Sequence, residues 1–206
     1  MTFKKKIIAE KFIKDGYIIF DIEDLKTLKN IKKLFKKTIN SSLKIKNTRL
    51  DIFNSFHKKV DSKKLNETRL SIYSKINSRK GFIKDYFKLA KNHLEVICGD
   101  ELAVQRKVNL SIQLPNDDSS LLPIHSDVWS GCSPFEVVLW VPFVNVSHSK
   151  SMFIFPKELN NEVYKNFSSY PNSEFLFKKF EKKVKFLKLN YGQGLIFSHS
   201  IIHGNR

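Results

Sequence analysis

The sequence predicts an α+β fold in which a helical, lysine-studded first half leads into a jelly roll (double-stranded β-helix) of short antiparallel strands. Two observations predict it. Up to about residue 100 the apolar residues recur at helical spacing, whereas beyond Gly99 the period becomes two. The segments after Gly99 are also short and bounded by turn residues, the pattern of antiparallel all-β layers. A chain of 206 residues with 41% hydrophobic and 13% aromatic content is long enough to bury one good-sized core. The expectation is therefore a single domain over 1–206, with 1–100 mainly helical, 101–206 the roll, and the N-terminal helices packed on one sheet.

A first short helix is expected around Ile7 to Lys14, broken by Asp15-Gly16, and Tyr17-Ile-Ile-Phe20 reads as a strand. From Asp24 the residues Leu25, Leu28, Ile31, Leu34 and Phe35 form an apolar stripe, with six lysines on the other face. That amphipathic helix should lay its stripe on a sheet. Residues 40 to 80 are a polar mixture containing Ser41-Ser42 and Asn47-Thr48, with helical fragments. A clearer helix is expected over Ile83 to Cys98, ended by Gly99 as a C-cap. Val108 to Leu114 alternates strictly and predicts a strand with Asn109, Ser111 and Gln113 on its polar face. Pro115 to Ser120 is a loop, Leu121 to Asp127 a second strand, and Phe135 to Val146 a third. Met152 to Phe155 follows, stopped by Pro156. Beyond a polar and aromatic insertion, Val184–Leu189 and Leu195–Ser198 flank the glycine-bearing turn Asn190 to Gly194.

Several function classes are disfavoured by composition. No apolar run approaches the ~20 residues of a membrane span, and the basic start is followed by too short an apolar stretch for a secretory signal. The expectation is a cytoplasmic protein without a membrane partner. Cys98 and Cys132 lie too far apart for a C-x-x-C pair and read as plain thiols. The formal charge of +17 invites a nucleic-acid reading, yet of 37 basic residues only five are arginine. The lysines are scattered along helix faces without the arginine and aromatic clustering that grips phosphates and stacks on bases. A solvated lysine face, or attraction to an anionic small molecule, accounts for the charge better.

The chemistry is concentrated in Leu-Pro-Ile-His125-Ser-Asp127 and in His203 near the end of the chain. Two imidazoles and one carboxylate on one face of a metal, with open positions opposite, are the donor set of non-haem Fe(II) sites. On a strand, positions i and i+2 share a side, so His125 and Asp127 reach one ion while Ser126 points away. The pair alone is weak, because this histidine and aspartate content makes an H-x-D spacing expected by chance in about a third of such chains. His203 and His199 compete for the distal place, since Phe197, His199, Ile201 and His203 share one parity. His57, His93 and His148 read as ordinary packing or surface histidines.

Taken together these segments resemble the iron(II)/2-oxoglutarate-dependent oxygenase superfamily, in its phytanoyl-CoA-hydroxylase-like branch, and within it oxygenases of bacterial carbohydrate-biosynthesis clusters. Phe12-Ile-Lys-Asp-Gly-Tyr17 is similar to that branch's opening. His125-Ser-Asp127 is similar to its proximal ligand pair, and Gly192-Gln-Gly-Leu-Ile-Phe197 through His203-Gly204 to the strand and H-G of the distal ligand. Lys150 to Pro156 resembles the strand in the middle of the roll, and His125 to Trp140 carries the likeness to the carbohydrate enzymes.

The resemblance implies His125, Asp127 and His203 as ligands of Fe(II), with 2-oxoglutarate and dioxygen as co-substrates. It selects His203 over His199. It implies hydroxylation of a small polar metabolite, a carbohydrate or an anionic sugar nucleotide, because halogenating relatives lack the carboxylate that Asp127 supplies. Trp140, Gln113 and Asn205 are candidates to line the co-substrate, and Trp129 and Ser133 the substrate. One feature departs from the pattern. Relatives anchor the far carboxylate of 2-oxoglutarate with an arginine about ten residues after the distal histidine, whereas this sequence has three residues there. Arg206 is too near His203 for that role, so the anchor and the closing strand of the roll are expected beyond residue 206. The competing reading is a non-catalytic basic jelly-roll module that binds polyanions, with His125 and Asp127 as polar core residues.

Overall fold

The computed structural model describes residues 2–46, 49–118 and 121–206. Asn47, Thr48 and the Ser119-Ser120 end of the expected loop lie outside the described residues. The fold is α+β, and it divides into two units. One comprises Met1–Asp21 with Leu121–Arg206, the other Ile22–Ser120.

In the first unit, α1 (Phe3–Asp15) ends where Gly16 adopts φ 75° and donates its N–H to Phe12 O at 2.7 Å. That left-handed turn suits glycine and sends the chain into β1 (Tyr17–Asp21). The antiparallel partners of β5 (Gln193–Ser198) are β1 on one side and β2 (Val137–Trp140) on the other. A second antiparallel sheet has the order β4 (Lys185–Phe186), β3 (Met152–Ile154), β6 (His203–Asn205). Leu195 and Phe197 of the first sheet and Met152 and Ile154 of the second share one apolar cluster, so the sheets pack face to face. Strand alternation sends Phe153 to the other face of its sheet, where with Phe155 it meets α7 (Lys157–Lys165) and α8 (Ser173–Phe180) through Leu159, Val163, Leu176 and Phe180. Met152, Phe153 and Ile154 are all buried because both faces of β3 are covered.

The second unit is helical: α2 (Leu25–Ser42), α3 (Ile52–Ser55), α4 (Ser62–Asn77), α5 (Phe82–Lys88) and α6 (Lys91–Cys98). Asp24 caps α2, accepting from Thr27 N at 2.9 Å, and Asp61 caps α4 in the same way from Lys64 N. The α2 stripe buries Leu28, Ile31, Phe35 and Ile39. Where a sheet was expected beneath it, the stripe meets α4 and α5 of its own unit, with the Phe35 and Phe82 rings 6.0 Å apart. A helix packs equally well on either partner, so the stripe does not specify which.

Other expected elements are cut differently. The helix over Ile83 to Cys98 is broken at Ala90 (φ −133°, ψ 10°). No glycine or proline stands there, and the break accompanies the full burial of Leu89 and Ala90. Gly99 closes α6 as expected. Val108 to Leu114 is not assigned as strand. The Asn77 side chain of α4 takes both backbone groups of Val108, accepting its N–H at 2.8 Å and donating to its carbonyl at 3.1 Å. The alternating burial of Val108, Leu110 and Ile112 survives, but it comes from an extended segment bonded to α4 side chains. The strand over Leu121 to Asp127 shrinks to one bridge at His125 followed by a 3-10 turn over Asp127–Ser130, because Pro123 has no N–H to extend the ladder. Similarly, the strand over Phe135 to Val146 contracts to β2, with Pro142 just beyond it. The turn at Asn190 to Gly194 joins strands of different sheets, since β4 pairs with β3 and β5 with β1 and β2.

Candidate metal centre

His203 opens β6 and faces the segment carrying His125 across a single antiparallel bridge. His125 N–H donates to His203 O at 2.9 Å and His203 N–H to His125 O at 2.8 Å. The bridge brings the two imidazole rings to 4.3 Å between centroids. Asp127 opens the 3-10 turn two residues on, with Ser126 still extended at φ −124°, ψ 137°. Ser126 is buried on the opposite side, as alternation requires. One donor atom each from His125, Asp127 and His203 lie within 4.8 Å of one another. His125 Nε2 is 3.8 Å from Asp127 Oδ1. Donors about 2 Å from one cation at roughly 90–110° lie about 3–3.5 Å apart, so this pair needs to close by only a few tenths of an ångström to share an ion.

Both rings are oriented by main-chain carbonyls. His125 Nδ1 lies 2.8 Å from Pro123 O and His203 Nδ1 2.9 Å from Ile201 O. A carbonyl only accepts, so each Nδ1 carries the proton and the neutral ring keeps its lone pair at Nε2. Such outer hydrogen bonds are the usual way a protein fixes the tautomer of a metal-binding histidine. Burial, and next the neighbouring His125, push the His203 imidazole down to about 4, so it is neutral at pH 7. One edge of that ring packs on Phe197, at 4.9 Å between centroids. The His125 and Asp127 side chains remain 28% and 25% exposed, giving the cluster one dry side and one open to solvent.

The chain turns between β5 and β6, with Ile201 N–H donating to Ser198 O, so the shared parity of His199 and His203 does not persist. His199 instead meets the other oxygen of the same carboxylate, its Nε2 3.9 Å from Asp127 Oδ2. A buried polar net supports the turn. Ser126 Oγ, 2.7 Å from His199 O, and the Tyr164 hydroxyl, 3.0 Å from Ser200 O, lie 2.8 Å from each other. Asn160 Oδ1 accepts Ile202 N–H at 2.8 Å while its Nδ2 donates to Ser200 O at 3.1 Å. Burial raises the Tyr164 phenol above its ordinary value, keeping it a protonated donor. Sequence reading passed over Asn160 and Tyr164. Both lie in the insertion after Pro156, where Leu159 and Val163 at helical spacing were the available signal of α7.

The remaining sequence candidates fall at different distances from this cluster. Asn205 lies two residues along β6 from His203 and so on the same side of the strand. Trp140 is half-buried at the end of β2, packed on the apolar cluster that includes Phe197. Trp129 turns to α7, its ring 6.3 Å from Tyr164 and 4.9 Å from Phe167. Ser133 Oγ accepts Phe135 N–H at 3.2 Å and so shapes its own loop. Gln113 belongs to the other unit, on the segment that lacks a ladder. Arg206 pairs with Glu174 at 2.6 Å and lies over the Phe177 ring. Among the described residues no helix is long and apolar enough to cross a membrane. No protein-family model matches the chain, and no curated protein matches it.

Proposed function

We propose that the protein is an Fe(II)/2-oxoglutarate-dependent dioxygenase that hydroxylates a small polar metabolite, a carbohydrate or an anionic sugar nucleotide, in the cytoplasm. The observation that carries the reading is the donor set: two imidazoles with Nδ1 held by carbonyls and one carboxylate, gathered around one bridge. That composition fits a ferrous ion with a face left for co-substrates. Two facing three-stranded antiparallel sheets support a jelly-roll scaffold.

Bound iron with 2-oxoglutarate and dioxygen would supply the oxidising power, leaving the protein to bind, orient and exclude water. His203 and Phe197 form the dry wall, and the Pro123 and Ile201 carbonyls hold the orientation of the two rings. Asp127 and His125 stand at the accessible side, next to the loop bearing Ser133. Asn205 and Trp140 are the proposed contacts for the co-substrate. Arg206, committed to Glu174, is not assigned to its far carboxylate.

Anaerobic titration with Fe(II) and then 2-oxoglutarate tests this. The expected result is the visible absorption of an iron–2-oxoglutarate chelate in the wild-type protein and its loss in Asp127→Ala. A wild-type protein that shows no such band sinks the oxygenase reading, and salt-dependent polyanion binding in its place supports the basic-module alternative.

A further inference from the structure

Beside the triad lies a second group with ligand chemistry. One donor atom each from Cys132, Glu136 and His199 lie within 4.8 Å of one another. They come from two loops tied by their backbones. Cys132 N–H donates to Asp127 O at 3.3 Å, Glu136 N–H to Ser133 O at 3.2 Å, and His199 N–H to Glu136 O at 3.2 Å. The thiol and carboxylate four residues apart are thus held against the turn that carries the histidine.

The His199 ring links the two groups. Its Nε2 faces Asp127 Oδ2 at 3.9 Å and its Nδ1 faces Glu136 Oε2 at 3.3 Å. That Nδ1 is buried and has no hydrogen-bond partner, so the approach to Glu136 is close without being aligned. The ring's Nε2 is too far from Asp127 for a direct hydrogen bond, and its buried Nδ1 approaches the Glu136 carboxylate without an aligned one. A cation held by Nδ1, the carboxylate and the thiolate would give that buried nitrogen a partner.

We propose that Cys132, Glu136 and His199 bind a second divalent cation of the zinc class beside the His125–Asp127–His203 centre. One sulfur, one nitrogen and one oxygen donor suit zinc in tetrahedral geometry, with a fourth position open to water. Cys132 gives up its thiol proton on binding. The cation would pin the loop between Asp127 and β2 to the turn bearing His199. The inference does not depend on which metal the first centre holds.

Equilibrium dialysis against Zn(II), and against Co(II) with the absorption spectrum recorded, tests it. Wild-type protein should hold two equivalents and show a thiolate-to-cobalt charge-transfer band. Cys132→Ala should hold one and lose the band, whereas His125→Ala should lose the other equivalent and keep the band. Alkylation mapped by peptide gives a second readout in the unmutated chain. Zn(II) should slow modification of Cys132 and leave Cys98 unchanged. A single equivalent without a thiolate band, or alkylation of Cys132 that zinc does not slow, overturns the second site and leaves the iron reading standing. Loss of binding in His125→Ala but not in Cys132→Ala would place the bound cation at the first centre alone and likewise overturn the second site.

Discussion

His125 and His203 are joined backbone to backbone by a pair of hydrogen bonds of 2.9 and 2.8 Å, and their rings lie 4.3 Å apart. The bridge fixes the spacing of the two residues' backbones, and the contacts of each Nδ1 with Pro123 O and Ile201 O hold the rings in place on it. Asp127 completes the group from a turn two residues away.

Replacing His203 with Ala should lower Fe(II) affinity by more than about 100-fold, the upper range for losing an outer partner alone. His199→Ala removes a neighbour of Asp127 rather than a donor of that group, so its effect should stay within about 10–100-fold. Chelator competition under anaerobic conditions measures both. If His199→Ala abolished iron binding while His203→Ala spared it, the two histidines would exchange roles.

The stability of the metal-free protein should depend on pH through His203. Its folded value of about 4 lies below the ordinary 6.5, chiefly because burial disfavours the imidazolium. Between those values the unfolded chain binds a proton that the folded chain does not, so stability rises with pH across the window. The contribution is fully present above about pH 6.5 and is lost as pH falls toward 4, with a total of about 3 kcal/mol. Urea midpoints measured from pH 7 to 4.5 should fall more steeply for the wild type than for His203→Gln. Equal slopes would place the titration elsewhere.

The parts of the fold legible in the sequence are those with local chemical causes. Gly16 stops α1, Asp24 caps α2, and Pro156 ends the strand that contains Phe153. The proximal pair was legible for the same reason, because H-x-D spacing is a statement about one short segment. Tertiary partners were not. The alternation of Val108 to Leu114 is identical whether the backbone meets a strand or the amide of Asn77. Pro123 and Pro142 did announce where ladders stop, and reading them as such would have shortened two strands. His199 could not be separated from His203 by parity, since the turn between them is held by Asn160 and Tyr164 from α7.

Asn160 is buried with both ends of its amide used, on Ile202 N–H and Ser200 O. Truncation to Ala would strand a buried main-chain donor, a loss of about 1–3 kcal/mol. It should also loosen the turn that presents His203. Asn160→Asp keeps the acceptor for Ile202 but sets an oxygen against Ser200 O, so it should recover only part of the stability. Denaturant unfolding of the three proteins checks the order wild type, Asp, Ala, and an Ala variant as stable as wild type would show the net to be dispensable.

Gly204 follows His203 because the space beside it is already filled. A Cβ there would lie 2.9 Å from Phe153 Cζ and 3.3 Å from both Ile124 Cα and N. Phe153 has little room to yield, since its ring is fully buried against Phe177 and Phe186 at 5.2 and 5.4 Å. The strain must then move β6 away from Ile124, which precedes His125, and so open the bridge that sets the histidine pair. Gly204→Ala should cost about 1–3 kcal/mol by overpacking and weaken iron binding with it. Phe153→Leu creates the missing space, so in the double variant the added methyl should cost less than it does alone. Strict additivity, measured by chemical denaturation of the four proteins of the cycle, would mean that the glycine answers to something other than the ring across from it.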